Sequence, residues 1–135
     1  MGSPYIQRMT ITPYLYYEDL DAALTWLSKA FGFKRLGRPM RRDGRAVHAA
    51  MKFGEAVVMM GAPGGKYKSP RRLGQATQSL YVAVDDADKH FARARKAGGT
   101  ILEEPADTEY GARRYGIEDP EGHQWYFAHE LKKRR

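Results

Sequence analysis

The amino-acid sequence predicts an α+β protein of two tandem βαβββ modules, which form a curved mixed sheet with helices on its convex face. The first observation is an internal repeat, because a shift of 67 positions lays residues 10–33 over residues 77–100. The second is that each copy opens with an alternating strand pattern followed by a helical pattern. The third is that three short strand patterns follow each helix, which is typical of an α+β domain. The identical pairs are Thr10 and Thr77, Tyr14 and Tyr81, Asp19 and Asp86, Asp21 and Asp88, Ala30 and Ala97, and Gly32 and Gly99.

The repeat sets the predicted boundaries. Residues 8–62 form the first module, residues 77–131 form the second, and residues 132–135 are a basic tail. The segment between the modules, residues 63–76, is predicted to be a linker because Gly, Pro and basic residues are frequent there. We expect a mobile linker, and a lid over a binding site is one role open to it.

The first module begins with a half-buried strand over 13–17, followed by the acidic pair Glu18-Asp19, which suits a helix N-cap. A helical stripe comes next and Gly32 ends it. This stripe consists of Leu20, Ala23, Leu24 and Leu27. The strands that follow are predicted at 34–37, 46–53 and 56–60, with Asp43-Gly44 as the turn between the first two.

The second module repeats this plan with a strand over 80–84, the acidic pair Asp85-Asp86 and a helix ended by Gly98-Gly99. The helical stripe consists of Ala87, Phe91, Ala94 and Ala97. Three strands follow, at 100–103, 112–118 and 123–129. A type I turn joins the last two, because Asp119, Pro120 and Gly122 occupy its preferred positions.

Composition excludes several classes of protein. The chain has 135 residues and no cysteine, so disulfides, thiolate metal sites and a Cys nucleophile are excluded and a cytoplasmic location is expected. No secretory signal pattern stands at the start, and no apolar run approaches the roughly 20 residues of a membrane helix. The net charge is +7, but Lys132, Lys133, Arg134 and Arg135 supply four of these charges. This distribution argues against nucleic acid as a partner, and it favours a neutral or anionic ligand over a cationic one.

The element order, the acidic pair before each helix and the ending YGARRYGIEDPEGHQWYF (110–127) resemble the vicinal oxygen chelate superfamily of glyoxalases, bleomycin-resistance proteins and dioxygenases. The resemblance covers residues 8–130. Because this scaffold carries enzymes as well as binding proteins, it implies the fold more strongly than the function. It also implies a homodimer, which would cover the open sheet edges and apolar faces.

In its metal-using members, the superfamily places a His near the start of each module's first strand and a Glu on the last strand. The matching positions here hold Thr12 and Ser79 for the histidines, and Val58 and Tyr126 for the glutamates. Imidazole and carboxylate are the ligands that a catalytic divalent ion needs. We therefore predict no metal and no cofactor. The four histidines, His48, His90, His123 and His129, are not spaced to form another metal site.

Strand alternation predicts which side chains face a pocket where the metal would lie. This pocket face is aromatic and rich in hydroxyls, and we expect it to bind a small aromatic ligand by stacking and burial. The alternative is that the tyrosines fill the sheet as core. The face consists of Thr12, Tyr14, Tyr16, Val58, Met60, Ser79, Tyr81, Ala83, Tyr126 and Ala128, and the opposite face of Leu15, Tyr17, Leu80, Val82 and Val84.

Two further residues are candidates for ligand binding. Arg114 is placed to pair with an acidic group of the ligand, although a surface pair with Glu109 or Glu118 is an alternative. His48 matches Tyr115 under the repeat and has the chemistry of a general base, but no partner acid or nucleophile is evident beside it. No catalytic residue is therefore assigned.

These patterns favour a metal-independent binding protein that captures a small aromatic molecule, such as an antibiotic, over an enzyme. The alternative is a glyoxalase-like lyase, isomerase or dioxygenase that uses a non-standard metal or a Tyr/His acid–base pair. A third hypothesis is a degenerate domain that has only an interaction role and a filled cavity.

Overall fold

The computed structural model describes residues 9–132, so residue 8 of the first predicted module and residues 133–135 of the predicted tail lie outside the described residues. This part of the chain divides into two compact units. The first holds residues 9–28 and 32–67, and the second holds residues 29–31 and 68–132. The boundary between the two units falls after residue 67, and residues 29–31, the last turn of the first helix, belong to the second unit.

The first unit is a mixed sheet with one helix. In chain order its elements are β1 (Tyr14–Tyr16), α1 (Leu20–Phe31), β2 (Lys34–Arg35), β3 (Met40–Arg42), β4 (Arg45–Phe53) and β5 (Ala56–Gly61). The strand order is β1-β5-β4-β2, and β3 also pairs with β4. Strands β1 and β5 run parallel, whereas the other pairs are antiparallel.

The second unit repeats this arrangement. Its elements are α2 (Pro70–Leu73), β6 (Ser79–Ala83), α3 (Ala87–Lys96), β7 (Thr100–Asp107), β8 (Ala112–Glu118) and β9 (Gln124–Glu130). The strand order is β6-β9-β8-β7, with β6 and β9 parallel and the other pairs antiparallel. The predicted α+β class with βαβββ modules is confirmed, as two mixed sheets.

The acidic pairs cap the helices as predicted. The side chain of Asp19 accepts a hydrogen bond from the Ala22 amide at 3.0 Å, and that of Asp86 accepts one from the Lys89 amide at 3.1 Å. Gly32 ends α1 in the left-handed region with φ 79°, where a glycine avoids the strain of a Cβ. Each carboxylate cap stabilises its helix by about 1 kcal/mol.

One face of each sheet forms a core. In the first unit, Leu15 and Tyr17 are 5% and 0% exposed, as predicted for the side under the helix. In the second unit the core is aromatic, because Phe31 packs on Phe127 with ring centroids 4.7 Å apart and on Trp125 at 5.4 Å. The other side of each sheet carries exposed tyrosines, which are Tyr14 and Tyr16 in the first unit and Tyr81 in the second.

Two strands differ from the prediction. Strand β3 was missed because its residues, Met40–Arg42, are all exposed and show no apolar alternation. The Asp43-Gly44 turn therefore joins β3 to β4, with φ 52° and 78° at its two residues, as a tight hairpin requires. Strand β7 continues past Glu103 to Asp107 and includes Pro105, which an edge strand accommodates because its outer amides need no partner.

The predicted linker contains a short helix. Ser69 caps α2, and Arg71 fixes this helix to the turn between β8 and β9 through its amide to the Glu121 carbonyl at 2.9 Å. The Arg71 side chain also donates to the Pro120 carbonyl at 2.8 Å. Gly122 is needed at this contact, because a Cβ there would lie 2.7 Å from the Arg71 amide nitrogen. Residues 69–74 thus differ from the featureless linker that composition predicts.

No helix within residues 9–132 has both the length and the apolar character required to cross a membrane.

Candidate ligand-binding site

The register of the first sheet places a set of aromatic and small residues on the side opposite its core. Tyr14, Met59 and Ala50 lie in one row across β1, β5 and β4, and Tyr16, Gly61 and His48 lie in the next. We call these six residues the first face. Tyr14 and Tyr16 are 45% and 50% exposed, so their rings are accessible to a ligand.

Tyr14 is held in place by a glycine and a histidine. A Cβ at Gly61 would lie 2.8 Å from the Tyr14 hydroxyl oxygen, so only glycine leaves room for this ring. A hydrogen bond of 2.9 Å joins the Tyr14 hydroxyl to Nδ1 of His48. Partial burial, and the neighbouring Tyr16 to a smaller extent, raise the pKa of Tyr14. The Tyr14 phenol therefore ionises at higher pH than a free tyrosine does.

Tyr67 extends the aromatic surface beside Tyr16. Its hydroxyl donates to the Tyr16 carbonyl at 2.8 Å, and the two rings meet edge to face at 5.8 Å. The Tyr14 and Tyr16 rings are also edge to face, at 5.6 Å. Sequence reasoning missed Tyr67 because it lies among the glycines and lysines of the predicted linker, where no strand periodicity marks it.

The second sheet has a corresponding set of positions on the side opposite its core, with largely different side chains. Tyr81, Tyr126 and Gly116 share one row across β6, β9 and β8, Ala83, Ala128 and Arg114 share the next, and Ser79 pairs with Gln124 at the start of β6. We call this set, with Tyr110 from the loop before β8, the second face. Tyr126 lies over Gly116, where a Cβ would come within 2.6 Å of the tyrosine ring.

Arg114 lies on the second face above Tyr126. Its guanidinium carbon is 5.1 Å from the ring centroid, and its Nη2 donates to both carboxylate oxygens of Glu103 at 3.1 and 3.2 Å. The expected alternative partners were wrong, because Glu118 pairs with Arg71 and Arg114 pairs with Glu103. Arg113 points to a different group, where it pairs with Asp88 and Asp107.

Tyr110 joins the second face through its hydroxyl, which lies 2.9 Å from the Tyr81 hydroxyl and 3.5 Å from Nη1 of Arg114. The hydrogen bond from Tyr81, supported by Arg114, lowers the pKa of Tyr110. Burial and the same hydrogen bond raise the pKa of Tyr81. Sequence reasoning missed Tyr110 because it stands in a loop, although it lies only four residues before Arg114.

The prediction that Val58 and Met60 share a face with Tyr14 is wrong. Val58 pairs with Met51 and Met60 with Leu15, on the core side, where they are 8% and 0% exposed. The prediction placed the equivalent of Tyr126 four residues after the turn glycine in both modules. The β4–β5 hairpin is one residue shorter than the β8–β9 hairpin between equivalent pairs, so this spacing does not carry over. Met59 pairs with Tyr14 as Tyr126 pairs with Tyr81, so Met59 is the equivalent of Tyr126.

His48 also has a different environment from the one expected. It occupies the row of Tyr16 and Gly61, and Arg114 occupies the matching row of Ala83 and Ala128. His48 is therefore the structural counterpart of Arg114 and not of Tyr115. The expectation that no acid lies beside it is corrected by Tyr14, whose hydroxyl contacts its ring.

Comparison with known proteins defines the family. The Glyoxalase/Bleomycin resistance protein/Dioxygenase superfamily matches residues 6–127. The chain belongs to this superfamily. An uncharacterized protein of Mycobacterium bovis is 31% identical to the chain over 128 residues, which cover 91% of this chain and 84% of that protein.

Solved structures of the superfamily share the fold. TioX from Micromonospora sp. ML1 is 35% identical and superposes with a TM-score of 0.75, covering 90% of this chain and 98% of TioX. The fosfomycin resistance protein FosX from Mesorhizobium loti has a TM-score of 0.66 at 15% identity, covering 93% and 95%, and this likeness shows the fold alone.

The superfamily's metal does not fit the residues present. In this chain the four equivalent positions hold Thr12, Met59, Ser79 and Tyr126, which offer two aliphatic hydroxyls, a thioether and a phenol. These groups lack the imidazole and carboxylate pairs that hold a divalent ion. Among residues 9–132, no cluster of three His, Cys, Asp or Glu side chains is arranged for a metal. The metal-independent character of the protein stays a prediction.

Proposed function

We propose that this superfamily member is a metal-independent binding protein that captures a small aromatic molecule, such as an antibiotic or another natural product. The observation that carries the proposal is the replacement of all four ligand positions by Thr12, Met59, Ser79 and Tyr126. The faces that hold the last three of these residues also carry exposed phenols, small residues and the side chains of His48 and Arg114. Such a surface suits stacking and hydrogen bonding better than Lewis-acid chemistry.

The exposed tyrosines support the binding role over a filled core. Tyr14, Tyr16 and Tyr81 are each about half exposed. Tyrosine supplies a large rigid ring at low entropic cost, and a stacked aromatic pair contributes about 0.5–1.5 kcal/mol beyond area burial. Two or more such rings on the same face, packed against a flat ligand, would together give useful affinity.

The superfamily context supports capture of an antibiotic. Its description includes bleomycin resistance proteins. The net charge of +7 disfavours a strongly cationic ligand such as a bleomycin, and it favours a neutral or anionic one. A homodimer in the cytoplasm belongs to the same proposal, because a second copy would cover the exposed faces and the chain has no cysteine.

The test is calorimetric titration of purified protein, after metal analysis, with a panel of planar aromatic compounds. We expect binding without stoichiometric metal, weakened at least about tenfold in Tyr126→Ala and Tyr14→Ala, which each remove a stacking ring. Arg95→Ala, on the exposed side of α3, is the matched control and should bind as the parent does. A stoichiometric divalent ion, or no binding across the panel, would overturn the proposal.

A second candidate function is favoured by the hydrogen bond between Tyr14 and His48 at 2.9 Å. A phenol and an imidazole in contact can move a proton, so the first face has the groups for a lyase or isomerase that works by acid–base chemistry. This enzyme would convert its ligand, whereas a binding protein would release it unchanged. Chromatography of each bound compound after overnight incubation, with His48→Gln as control, separates the two functions.

A further inference from the structure

Tyr110 is the centre of a hydrogen-bonded cluster on the second face. Its hydroxyl oxygen lies 2.9 Å from the Tyr81 hydroxyl and 3.5 Å from Nη1 of Arg114. Arg114 also bonds Glu103 and lies over the ring of Tyr126. Both tyrosines are accessible, since Tyr81 is 55% exposed and Tyr110 is 63% exposed.

The hydrogen bonds within this cluster leave one phenol proton of the Tyr81 and Tyr110 pair without a partner in the pair. A guanidinium can only donate, so the Tyr110 oxygen accepts from Arg114. The hydrogen bond between the two phenols uses one of their two protons, and the other is available to an outside acceptor. Thr108 also faces Tyr110. Its hydroxyl donates to the Ala112 carbonyl at 2.9 Å and accepts from the Ala112 amide at 3.0 Å, so an oxygen of the ligand would compete with a hydroxyl that already has two partners.

A flat surface lies next to the spare proton. The Arg114 guanidinium and the Tyr126 ring are 5.1 Å apart, and Gly116 leaves room for that ring. Because Glu103 balances the charge of Arg114, the surface does not require a full negative charge on its ligand. It favours a planar group with an acceptor oxygen at its edge.

The first face lacks this arrangement. Since His48 is the counterpart of Arg114, the position that matches Tyr110 in the first module is Gly44, which has no side chain. Ala83 likewise stands where the first face has Tyr16. The two faces therefore differ in their polar groups, although their sheets repeat.

We propose that the hydroxyl pair of Tyr81 and Tyr110, beside the Arg114 and Tyr126 surface, selects planar aromatic ligands that carry a carbonyl or carboxylate oxygen. This inference rests on the proposed function and names the chemistry of its ligand. The pKa of Tyr110, which is lowered by Tyr81 and Arg114, supports it because a more acidic phenol is a stronger donor.

The test uses three naphthalene probes that differ only in one substituent: 2-acetylnaphthalene, 2-naphthoate and 2-isopropylnaphthalene. Calorimetry should show the first two binding the parent protein about five- to tenfold more tightly than the third, as one added hydrogen bond allows. In the double variant Tyr81→Phe/Tyr110→Phe this preference should fall below about twofold, with the isopropyl probe unaffected, because both hydroxyls of the pair are removed and both rings are kept. Tyr115→Phe, a hydroxyl deletion on the core side of the same sheet, should lower the Tm and keep the preference.

The outcomes separate this inference from the proposed function. Equal binding of all three probes to the parent protein, or an unchanged preference in Tyr81→Phe/Tyr110→Phe, would overturn the hydroxyl-pair site and leave aromatic capture standing. Binding of none of the probes at millimolar concentration would count against both. Tighter binding of 2-naphthoate than of both other probes would mean that the positive charge of Arg114 selects the ligand. That result would also refute selection by the hydroxyl pair.

Discussion

The guanidinium carbon of Arg114 lies 5.1 Å from the centroid of the Tyr126 ring, while its Nη2 is held by Glu103 at 3.1 Å. The arginine is thus both oriented and balanced in charge. This contact is the clearest difference between the two faces, because His48 occupies the matching position in the first module.

Replacing Arg114 by Lys should weaken the binding of planar aromatic probes by about three- to tenfold. Lysine keeps the positive charge, but it lacks the flat guanidinium that stacks on a ring and bonds a carboxylate in two places. Calorimetric titration with 2-acetylnaphthalene measures the effect. Arg113→Lys is the matched control, since Arg113 pairs with Asp88 and Asp107. Equal losses in both variants would contradict a specific role for Arg114.

Gly116→Ala should displace the Tyr126 ring, because the new Cβ would lie 2.6 Å from Cε1 of that ring. We expect a loss of stability of about 1–3 kcal/mol from overpacking. Ligand binding at the second face should fall at least as much as in Tyr126→Phe. Urea unfolding and calorimetry measure the two quantities. Gly61→Ala tests the position of Tyr14 on the first face in the same way. A Gly116→Ala protein that binds ligand as tightly as the parent protein would contradict the prediction.

The fold could be predicted because its signals are local and are repeated. The Asp19 and Asp86 caps and the glycine after α1 follow from the chemistry of helix ends, and each appears at its predicted residue. Strand β3 could not be predicted, since all three of its residues, Met40–Arg42, are exposed and leave no apolar alternation in the sequence.

The candidate site was only partly predictable for a related reason. Tyr14, Tyr16, Tyr81 and Tyr126 were found because strand alternation fixes the side to which they point. Tyr67 and Tyr110 lie in loops, whose positions depend on tertiary contacts that no periodicity reports. A one-residue error in the β4–β5 hairpin was enough to choose Val58 and Met60 in place of Met59, because neighbouring strand residues face opposite sides.

The phenol of Tyr110 should ionise at lower pH than a free tyrosine, and the phenol of Tyr81 at higher pH. The hydrogen bond from Tyr81 lowers the pKa of Tyr110, and burial raises that of Tyr81. Removing the Tyr81 hydroxyl in Tyr81→Phe should therefore raise the pKa of Tyr110 towards its ordinary value. Carbon-13 tyrosine NMR between pH 8 and 12 resolves each ring, with Tyr110→Phe giving the assignment. A Tyr110 that titrates identically in Tyr81→Phe would show that the pair is not coupled.

Asp119→Asn should destabilise the turn between β8 and β9 by about 1–3 kcal/mol. The buried carboxylate accepts from the Glu121 and His123 amides at 3.0 and 3.1 Å, and from Nε1 of Trp125 at 3.1 Å. An asparagine has one acceptor oxygen, so its NH2 group would face a donor. Urea unfolding with Asp85→Asn as an exposed control measures the loss. Equal stability of both variants would contradict the role assigned to Asp119.

Acidification should destabilise the second unit through His90. Nε2 of this ring lies 2.9 Å from the Phe31 carbonyl and its Nδ1 meets the Tyr115 hydroxyl, so the neutral ring has partners on both sides. Burial is the main reason that the pKa of His90 lies below its ordinary value of 6.5, and the charge of Arg93 acts in the same direction. The unfolded chain therefore binds this proton more readily than the folded one. Stability from this group is complete above pH 6.5 and is lost progressively as the pH falls towards the lowered value.

The measurement is the Tm of the parent protein and of His90→Gln between pH 8 and pH 5. Glutamine can retain one hydrogen bond but does not titrate, so His90→Gln should be less stable at pH 8 and lose less Tm on acidification. His123→Gln is a control for histidine loss at another buried position of the same unit. Parallel Tm curves for the parent protein and His90→Gln would show that His90 does not control the acid response.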